Sequence, residues 1–187
     1  MACLSPDEVK KIGFRCVGDN PRISDKASFY NPGNISLGNN VRIDDFCVFS
    51  AGEGGIILGD YIHVAVFSSF IGRGKIALSD FCNISSRVSV YSSNDDYSGQ
   101  SMTNPTIPEA FTAVDHADVY FEKHVIVGCG SVVLPGITLR EGCAIGALSL
   151  VSADCDAFSI YAGNPIKRIK SRSRDLLSIE DEFLKSK

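Results

Sequence analysis

The chain has 187 residues, a formal net charge of -4 and a hydrophobic fraction of 44%. This length is typical of one domain with a substantial core, and the acidic balance argues against nucleic acid as the main partner, because phosphate backbones bind basic surfaces. No apolar run approaches the roughly 20 residues that span a bilayer, so we expect no membrane insertion and a cytoplasmic protein.

A short amphipathic helix is predicted within residues 1–16. Ser5 can cap this helix, Pro6 suits its first turn, and Glu8 completes a capping box. Its apolar stripe consists of Val9, Ile12 and Cys16.

A small apolar residue then recurs at every sixth position, without a charged residue in that phase, across residues 17–166. Aligned in blocks of eighteen, the repeats are ISLGNNVRIDDFCVFSAG, IILGDYIHVAVFSSFIGR, IALSDFCNISSRVSVYSS, VYFEKHVIVGCGSVVLPG and ITLREGCAIGALSLVSAD. A fixed short period is typical of a solenoid. We expect one aliphatic residue of each hexapeptide to point inward and three short strands to complete each coil. The same inward phase contains Cys47, Cys82, Cys143 and Cys155, which favours buried thiols over a disulfide framework.

The repeat is interrupted at residues 93–118, where two prolines and many polar residues replace the period. A loop of this length inside a compact repeat is either functional or disordered. Its large apolar side chains, Tyr97, Met102, Ile107 and Phe111, make plain disorder the weaker interpretation.

The last segment, residues 167–187, is predicted to form a C-terminal helix. Several of its side chains are available for packing: Ile169, Leu176, Leu177, Ile179, Phe183 and Leu184.

Two segments near the end of the repeat, VIVGCGSVVLPGITLREGCAIGALSLVS and YAGNPIKRIK, resemble the closing pattern of the hexapeptide-repeat acyltransferases. The resemblance covers about residues 17–170 and is to the sugar acetyltransferase branch, which includes galactoside and maltose O-acetyltransferases and surface-polysaccharide enzymes. It implies an all-β fold, a left-handed parallel β-helix, that transfers acetyl from acetyl-CoA to a sugar. No metal is expected to be required.

The same resemblance implies a homotrimer in which acetyl-CoA and the active sites lie between adjacent subunits. Val64, Val66 and Phe67 are predicted to face outward, where a neighbouring subunit would shield them from water.

The resemblance also assigns residues to acetyl-CoA. It places Cys129 against the pantetheine arm, Ala147 and Ser152 along the thioester tunnel, and Lys167 and Lys170 at the CoA phosphates. Phosphates need Lys or Arg close to solvent, which agrees with the last pair. Ordinary turn packing would explain Ala147 and Ser152 equally, and a solvated basic turn would explain the lysines.

The expected catalytic position departs from the family pattern. In the galactoside enzymes a histidine follows the coil before the long loop, whereas alignment through VSVYSSNDDYSG puts Asp95 there, next to Asp96. A carboxylate of ordinary pKa is a weak base for a hydroxyl but can hold an amine. This favours the amine of a nucleotide-linked aminodeoxy sugar from surface-polysaccharide synthesis, with O-acetylation as the alternative. Tyr97 and Arg73 are further candidate substrate contacts.

Three histidines are candidate bases. His63 follows the inward Ile62 and should face outward, where it aligns with a substrate-contacting tyrosine of the galactoside enzymes; His116 ends the long loop, and His124 precedes a strand. A solvent-facing or hydrogen-bonded role is the alternative for each.

Two other classes of protein fit the sequence less well. A γ-class carbonic anhydrase would need two zinc ligands close together on one chain, which His116 and His124 do not supply. A non-catalytic scaffold would need neither the long loop nor the basic ending.

Overall fold

The structure, a computed structural model, describes residues 2–187 and consists mainly of short strands wound into coils of three. The first two coils contain β1 (Cys16–Val17), β2 (Arg22–Ile23), β3 (Ser28–Tyr30), β4 (Ile35–Leu37), β5 (Arg42–Ile43) and β6 (Val48–Ala51). The next two contain β7 (Ile56–Leu58), β8 (His63–Val64), β9 (Ser69–Gly72), β10 (Ile76–Leu78), β11 (Asn83–Ile84) and β12 (Ser89–Tyr91). After an excursion, two more coils contain β15 (Val119–Phe121), β16 (Ile126–Val127), β17 (Val132–Val133), β18 (Thr138–Leu139), β19 (Ala144–Ile145) and β20 (Leu150–Val151).

Each coil contributes one strand to each of three sheets, so the coils stack into a triangular prism. Face 1 contains β1, β4, β7, β10, β15 and β18, and face 3 contains β3, β6, β9, β12, β17 and β20. Face 2 contains β2, β5, β8, β11, β16 and β19, followed by β21 (Ser159–Ala162). All these neighbours pair in parallel, which confirms the predicted left-handed parallel β-helix.

Two residues of each hexapeptide point into the core of the prism. Ile35 and Leu37 of β4 are both buried, and the register repeats this pair in the coils that follow. The prediction of one inward residue per hexapeptide is therefore wrong, because alternate residues of a strand point to the same side. Val64 is fully buried for this reason, two residues after Ile62, and does not face outward as predicted.

The six-residue phase is confirmed from the second coil onward, and the cysteines in it are buried. The exceptions are Val17, which is 36% exposed, and the half-buried Phe29. Both belong to the first coil, which has a neighbouring coil on one side only. Phe67, at the corner between faces 2 and 3, is exposed as predicted and stacks on Phe46 with ring centroids 5.0 Å apart.

An antiparallel hairpin interrupts the helix after β12. It consists of β13 (Ser93–Asp95) and β14 (Val114–His116), with a 3-10 turn at Glu109–Phe111 between them. Because β12 lies on face 3 and β15 on face 1, the hairpin leaves the prism at the corner that joins these faces. That corner is the edge opposite face 2.

The N-terminal helix, α1 (Pro6–Ile12), has the predicted capping box. The backbone N–H of Ser5 donates to a carboxylate oxygen of Glu8 at 2.8 Å. The helix is shorter than predicted, since Cys16 already belongs to β1 and is exposed. Val9 is the residue of the predicted apolar stripe that is buried.

The last strand, β22 (Lys167–Ser171), pairs antiparallel with β21 and covers the edge of face 2. The assignment of residues 167–171 to the C-terminal helix is therefore wrong; a sheet edge recruits this segment, because an open edge leaves backbone groups unpaired. The opposite edge of face 2 is also covered antiparallel, by a bridge between Cys3 and Ser24.

The C-terminal helix, α2 (Asp175–Lys185), packs over the corner between faces 1 and 2. Its Phe183 ring lies edge-on to Tyr61, with centroids 5.4 Å apart, and an oxygen of Glu180 lies 2.6 Å from Nε2 of His124. Across residues 2–187, no helix combines the length and apolar character needed to cross a membrane.

Candidate active site

The outward side chains of face 2 form a row that crosses the whole sheet, here called the outer row. The strand register gives its members as Arg22, Arg42, His63, Asn83, Ile126, Ala144, Ile160 and Lys170. The first four members are polar, the next three are apolar, and a lysine closes the row. Face 2 therefore changes from a polar surface on the early coils to an apolar surface on the late ones.

Beside the outer row, the next outward position carries small residues from the third coil onward. The backbone ladder aligns these as Ala65, Ser85, Gly128, Gly146 and Ala162. A Cβ atom on Gly128 would come within 2.5 Å of the Ala147 nitrogen, and one on Gly146 within 2.9 Å of the Ala162 Cβ. Close coil stacking thus keeps this strip bare, and we call it the small-residue groove.

Two lysines stand at the late end of the small-residue groove. Lys167 pairs with Ala162 and Lys170 with Ile160, and both lysines are exposed. Four strand spacings, about 19 Å, separate Lys170 from Asn83 along the face. A long, thin, anionic molecule therefore fits here, with its charged end at the lysines.

The other residues assigned to acetyl-CoA fall at two corners. Cys129 and Ala147 are exposed at the corner of faces 2 and 3, one residue beyond Gly128 and Gly146 of the groove. Ser152 is exposed but follows β20 on face 3, so it lies outside this groove.

A hydrogen-bonded cluster surrounds His63 at the early end of the groove. Its Nε2 lies 3.0 Å from Asp44 and its Nδ1 lies 3.1 Å from Asn83, so both ring nitrogens have partners. Arg42 also donates to Asp44, at 2.7 Å. Burial raises the pKa of Asp44, but hydrogen bonds from Arg42 and His63 outweigh burial and hold this pKa below its ordinary value.

The hairpin contains Asp95, which the sequence resemblance predicts at the position of the family histidine. Asp95 is exposed and lines a cavity of about 460 Å³, together with Ser93, Asn104, Ile107 and Thr112. Its neighbour Asp96 has a different environment, because its two oxygens accept hydrogen bonds from Ser98 and Ser101. These bonds hold the pKa of Asp96 far below its usual range and fix the local turn.

Two further candidates, Arg73 after β9 and His116 of the hairpin, line a second cavity of about 390 Å³. Nδ1 of His116 lies 2.8 Å from the Ser93 hydroxyl, and Arg73 forms an ion pair with Glu53 at 2.8 Å. Tyr97 is 87% exposed and lines neither cavity.

The structure does not bring all the predicted residues together within one chain. His63 lies on face 2, His116 on the opposite edge, and His124 under α2. Within residues 2–187 of one chain, no three metal-ligating side chains come together. Asp95 and the small-residue groove also lie on opposite sides of the prism.

Asp44 and Asn83 contact His63, and Ser85 lies in the small-residue groove, but the sequence analysis named none of the three as a candidate. A signal was present, because the aligned repeats place Arg42, His63 and Asn83 in one column. Residues in one column of a solenoid become neighbours on one face. Reading the outward columns, and not the inward one alone, would have predicted this cluster.

The parallel three-sheet coil of this chain is the left-handed β-helix of the hexapeptide-repeat acyltransferases. No family model matches the chain. It is 59% identical over 183 residues to the dTDP-4-amino-4,6-dideoxy-D-glucose acyltransferase of Escherichia coli. The matched region covers 98% of this chain and 95% of that protein. The chain belongs to this family of acyltransferases, and it is an enzyme.

Solved structures extend the comparison. The N-acyltransferase AntD from Bacillus cereus, in complex with dTDP and 3-hydroxybutyryl-CoA, has 47% sequence identity and a TM-score of 0.94, over 98% of this chain and 97% of that one. AntD variants with one serine or one aspartate replaced have been solved as well. A maltose O-acetyltransferase from Clostridium difficile, 20% identical with a TM-score of 0.61 over 90% of this chain and 75% of that one, shares the fold.

Proposed function

We propose that this enzyme transfers the acetyl group of acetyl-CoA to the amine of a dTDP-linked 4-amino-4,6-dideoxy sugar. The observation that carries the proposal is Asp95, an exposed carboxylate that lines a cavity of about 460 Å³. The sequence resemblance puts this residue where the galactoside enzymes have a histidine. The acceptor named for the Escherichia coli relative is a sugar of this kind.

The small-residue groove supports the donor assignment. Lys167 and Lys170 would bind the CoA phosphates through charge-assisted hydrogen bonds, since both are exposed at one end. The pantetheine arm would then run over Gly146 and Gly128, where a larger side chain has no room. This direction brings the thioester to Ser85 and Asn83.

The two halves of the site would come from different copies of the chain. Acetyl-CoA would lie on face 2 of one copy, and Asp95 stands on a hairpin at the opposite edge of the prism. A cyclic homotrimer places the hairpin of each copy against face 2 of the next and closes the ring. The exposed Phe46 and Phe67 at one border of face 2 would become covered in such an assembly.

The chemistry needs proton removal before and during attack. The amine is cationic in solution, and Asp95 would bind it and pass one proton to water, which leaves a nucleophilic lone pair. Nitrogen attack on the thioester carbonyl forms a tetrahedral intermediate, and backbone N–H groups would stabilise its oxyanion. Collapse breaks the C–S bond, the second ammonium proton passes to the departing thiolate through water, and the products are the amide and CoA.

The other candidate catalytic residues receive supporting roles. His63 would contact the sugar and hold Asn83 in place, because both of its ring nitrogens already have partners. Asp96 would shape the loop that carries Asp95, and His116 would support the same hairpin through Ser93.

The AntD variants direct attention to the same two segments. The replaced serine and aspartate of AntD are ten residues apart, which is the spacing of Ser85 and Asp95 and equally of Ser86 and Asp96 in this chain. Ser85 lies in the small-residue groove and Asp95 in the hairpin cavity. The proposed reaction centre is where these two residues of neighbouring copies meet.

The location and pathway follow from the substrates. CoA thioesters and nucleotide sugars are cytoplasmic metabolites, so we place the enzyme in the cytoplasm, upstream of surface-polysaccharide assembly. The complex of AntD with 3-hydroxybutyryl-CoA makes a longer acyl donor the second candidate.

Turnover with matched acceptors tests the proposal. CoA release is measured with dTDP-4-amino-4,6-dideoxyglucose and with dTDP-6-deoxyglucose, which carries a hydroxyl in place of the amine, using acetyl-CoA and 3-hydroxybutyryl-CoA. We expect turnover only with the amine. Turnover of the hydroxyl acceptor at an equal or greater rate would establish O-acylation in its place.

A further inference from the structure

We propose that Arg22 and Arg42 form the subsite for the diphosphate of the nucleotide-linked acceptor, with Asp44 as the residue that positions Arg42. This inference rests on the proposed function, because it takes the acceptor to be a nucleotide diphosphate sugar. The site lies on the first two coils of face 2, beyond the end of the small-residue groove.

The register brings these side chains together. Arg22, Arg42 and His63 occupy the outer row on three successive strands, about 4.8 Å apart. Arg22 is exposed, and the side chains of Arg42 and His63 are 43% and 39% exposed. No carboxylate interrupts the row, so a diphosphate can contact neighbouring cationic groups at once.

Asp44 makes this surface more than a solvated basic patch. Its carboxylate is buried, with Oδ1 accepting from Arg42 Nε at 2.7 Å and Oδ2 at 3.0 Å from His63 Nε2. The contact uses only the Nε of Arg42, which leaves its two terminal nitrogens to face an anion. Holding a flexible guanidinium before the ligand arrives lowers the entropy cost of binding.

The distances along face 2 match the chemistry of the acceptor. If acetyl-CoA extends from Lys170, its thioester reaches Asn83, and the reacting amine must lie there. Arg42 is two strand spacings further on, about 10 Å. That interval leaves room for one hexose ring over His63, between the amine on one side of the sugar and the diphosphate on the other.

Binding of dTDP alone tests the subsite without any turnover. Calorimetric titration compares the wild type with Arg22→Gln, Arg42→Gln and the double variant. The control for net charge is Arg140→Gln, because Arg140 is exposed on face 1, away from the proposed subsite. We expect the Kd for dTDP to rise at least about tenfold in Arg42→Gln and further in the double variant, as loss of a charge-assisted contact implies. Arg140→Gln should bind as the wild type does.

Asp44→Asn separates positioning from folding. We expect it to raise the KM for the amino sugar and the Kd for dTDP, while the KM for acetyl-CoA and the circular dichroism spectrum stay unchanged. An unchanged dTDP Kd in the double arginine variant would overturn the subsite, as would an equal loss of dTDP affinity in Arg140→Gln. A wild type that binds dTDP through these arginines yet acylates no amino sugar would refute the proposed reaction and leave the subsite standing.

Discussion

Lys170 stands opposite Ile160 at the covered edge of face 2, and a bulge at Ile169 keeps Lys167 opposite Ala162 on the same outer surface. In a regular strand, residues three apart point to opposite sides. The extra residue restores the alternation, so both lysines reach the end of the small-residue groove. Arg168, between them in sequence, turns to the other side and donates to Ser159 at 3.2 Å.

Charge reversal of this pair tests the donor site. In Lys167→Glu with Lys170→Glu, we expect the Kd for CoA to rise by about tenfold to a hundredfold, since two charge-assisted phosphate contacts are lost. The difference from wild type should shrink at high salt. Lys10→Glu with Lys11→Glu, on the exposed face of α1, is the matched control. Equal CoA affinity in all three proteins at low salt would remove the lysines from the site.

Asp95 and Asp96 are adjacent but should differ in their effect on turnover. We expect Asp95→Asn to lower kcat by about a hundredfold or more with an unchanged Tm, because it removes the amine-binding carboxylate from an exposed position. Steady-state kinetics and thermal unfolding give the two quantities.

Asp96→Asn should act on the loop. Its carboxylate accepts from the backbone of Ser98 and Ser101, so we expect faster amide hydrogen exchange at these residues and a smaller loss of kcat. Identical kinetic losses in the two variants would show that both carboxylates serve the chemistry.

The inward columns of the repeat could be predicted from the sequence, because burial in a solenoid requires apolar residues at a fixed period. Val64 was wrongly predicted to face outward. It is buried because alternate residues of a strand point to the same side, so Val64 points inward like Ile62, two residues earlier. Ile76 and Cys82, six residues apart in the predicted inward column, are both buried, as predicted.

The site was less accessible to prediction. Lys167 and Lys170 are exposed, as binding of the CoA phosphates would require, and that role stays a prediction. Their segment was predicted to be helical, but it is a strand, because β21 offers it an edge to pair with. Asp44 was missed because His63, one of its two partners, comes from the next coil. Contacts of this kind depend on register, which the aligned columns contain but local propensity does not.

The contact between α2 and His124 should depend on pH. Burial raises the pKa of Glu180, but hydrogen bonds and charges from Lys123 and His124 outweigh it, so the folded-state pKa lies below the ordinary value of 4.5. A lowered carboxylate pKa stabilises the fold above the unfolded-state value, and this stabilisation is lost as pH falls through the folded-state value. Glu180→Gln should therefore lower the free energy of unfolding by about 1–3 kcal/mol at neutral pH.

Thermal unfolding across pH measures this effect. The Tm difference between wild type and Glu180→Gln should be largest near neutrality and shrink below about pH 4.5. Glu182→Gln, exposed on the same helix, is the control and should match the wild type throughout. A Tm difference for Glu180→Gln that stays constant from neutral to acid pH would contradict the ion-pair explanation.

Phe70 and Phe67 form a matched pair for the core. Phe70 is fully buried and stacks on Phe49 with centroids 4.9 Å apart, while Phe67 is 48% exposed. We expect Phe70→Ala to lower the free energy of unfolding by about 3–5 kcal/mol. Phe67→Ala should lower the free energy of unfolding of the isolated chain far less. If neighbouring copies cover the Phe67 ring, this loss should depend on protein concentration. Comparable, concentration-independent losses in both variants would contradict the assigned burial.

The central claim is that acetyl-CoA on face 2 of one copy is attacked by an amine held by Asp95 of another. Co-expression of two inactive variants tests it: Asp95→Asn has an intact groove, and Ala144→Phe fills the groove beside the outer row but keeps an intact hairpin. Random assembly should restore roughly a quarter of wild-type CoA release, because that share of sites combines an intact groove with an intact hairpin. Activity no higher than that of each variant alone would show that both halves of the site belong to one chain.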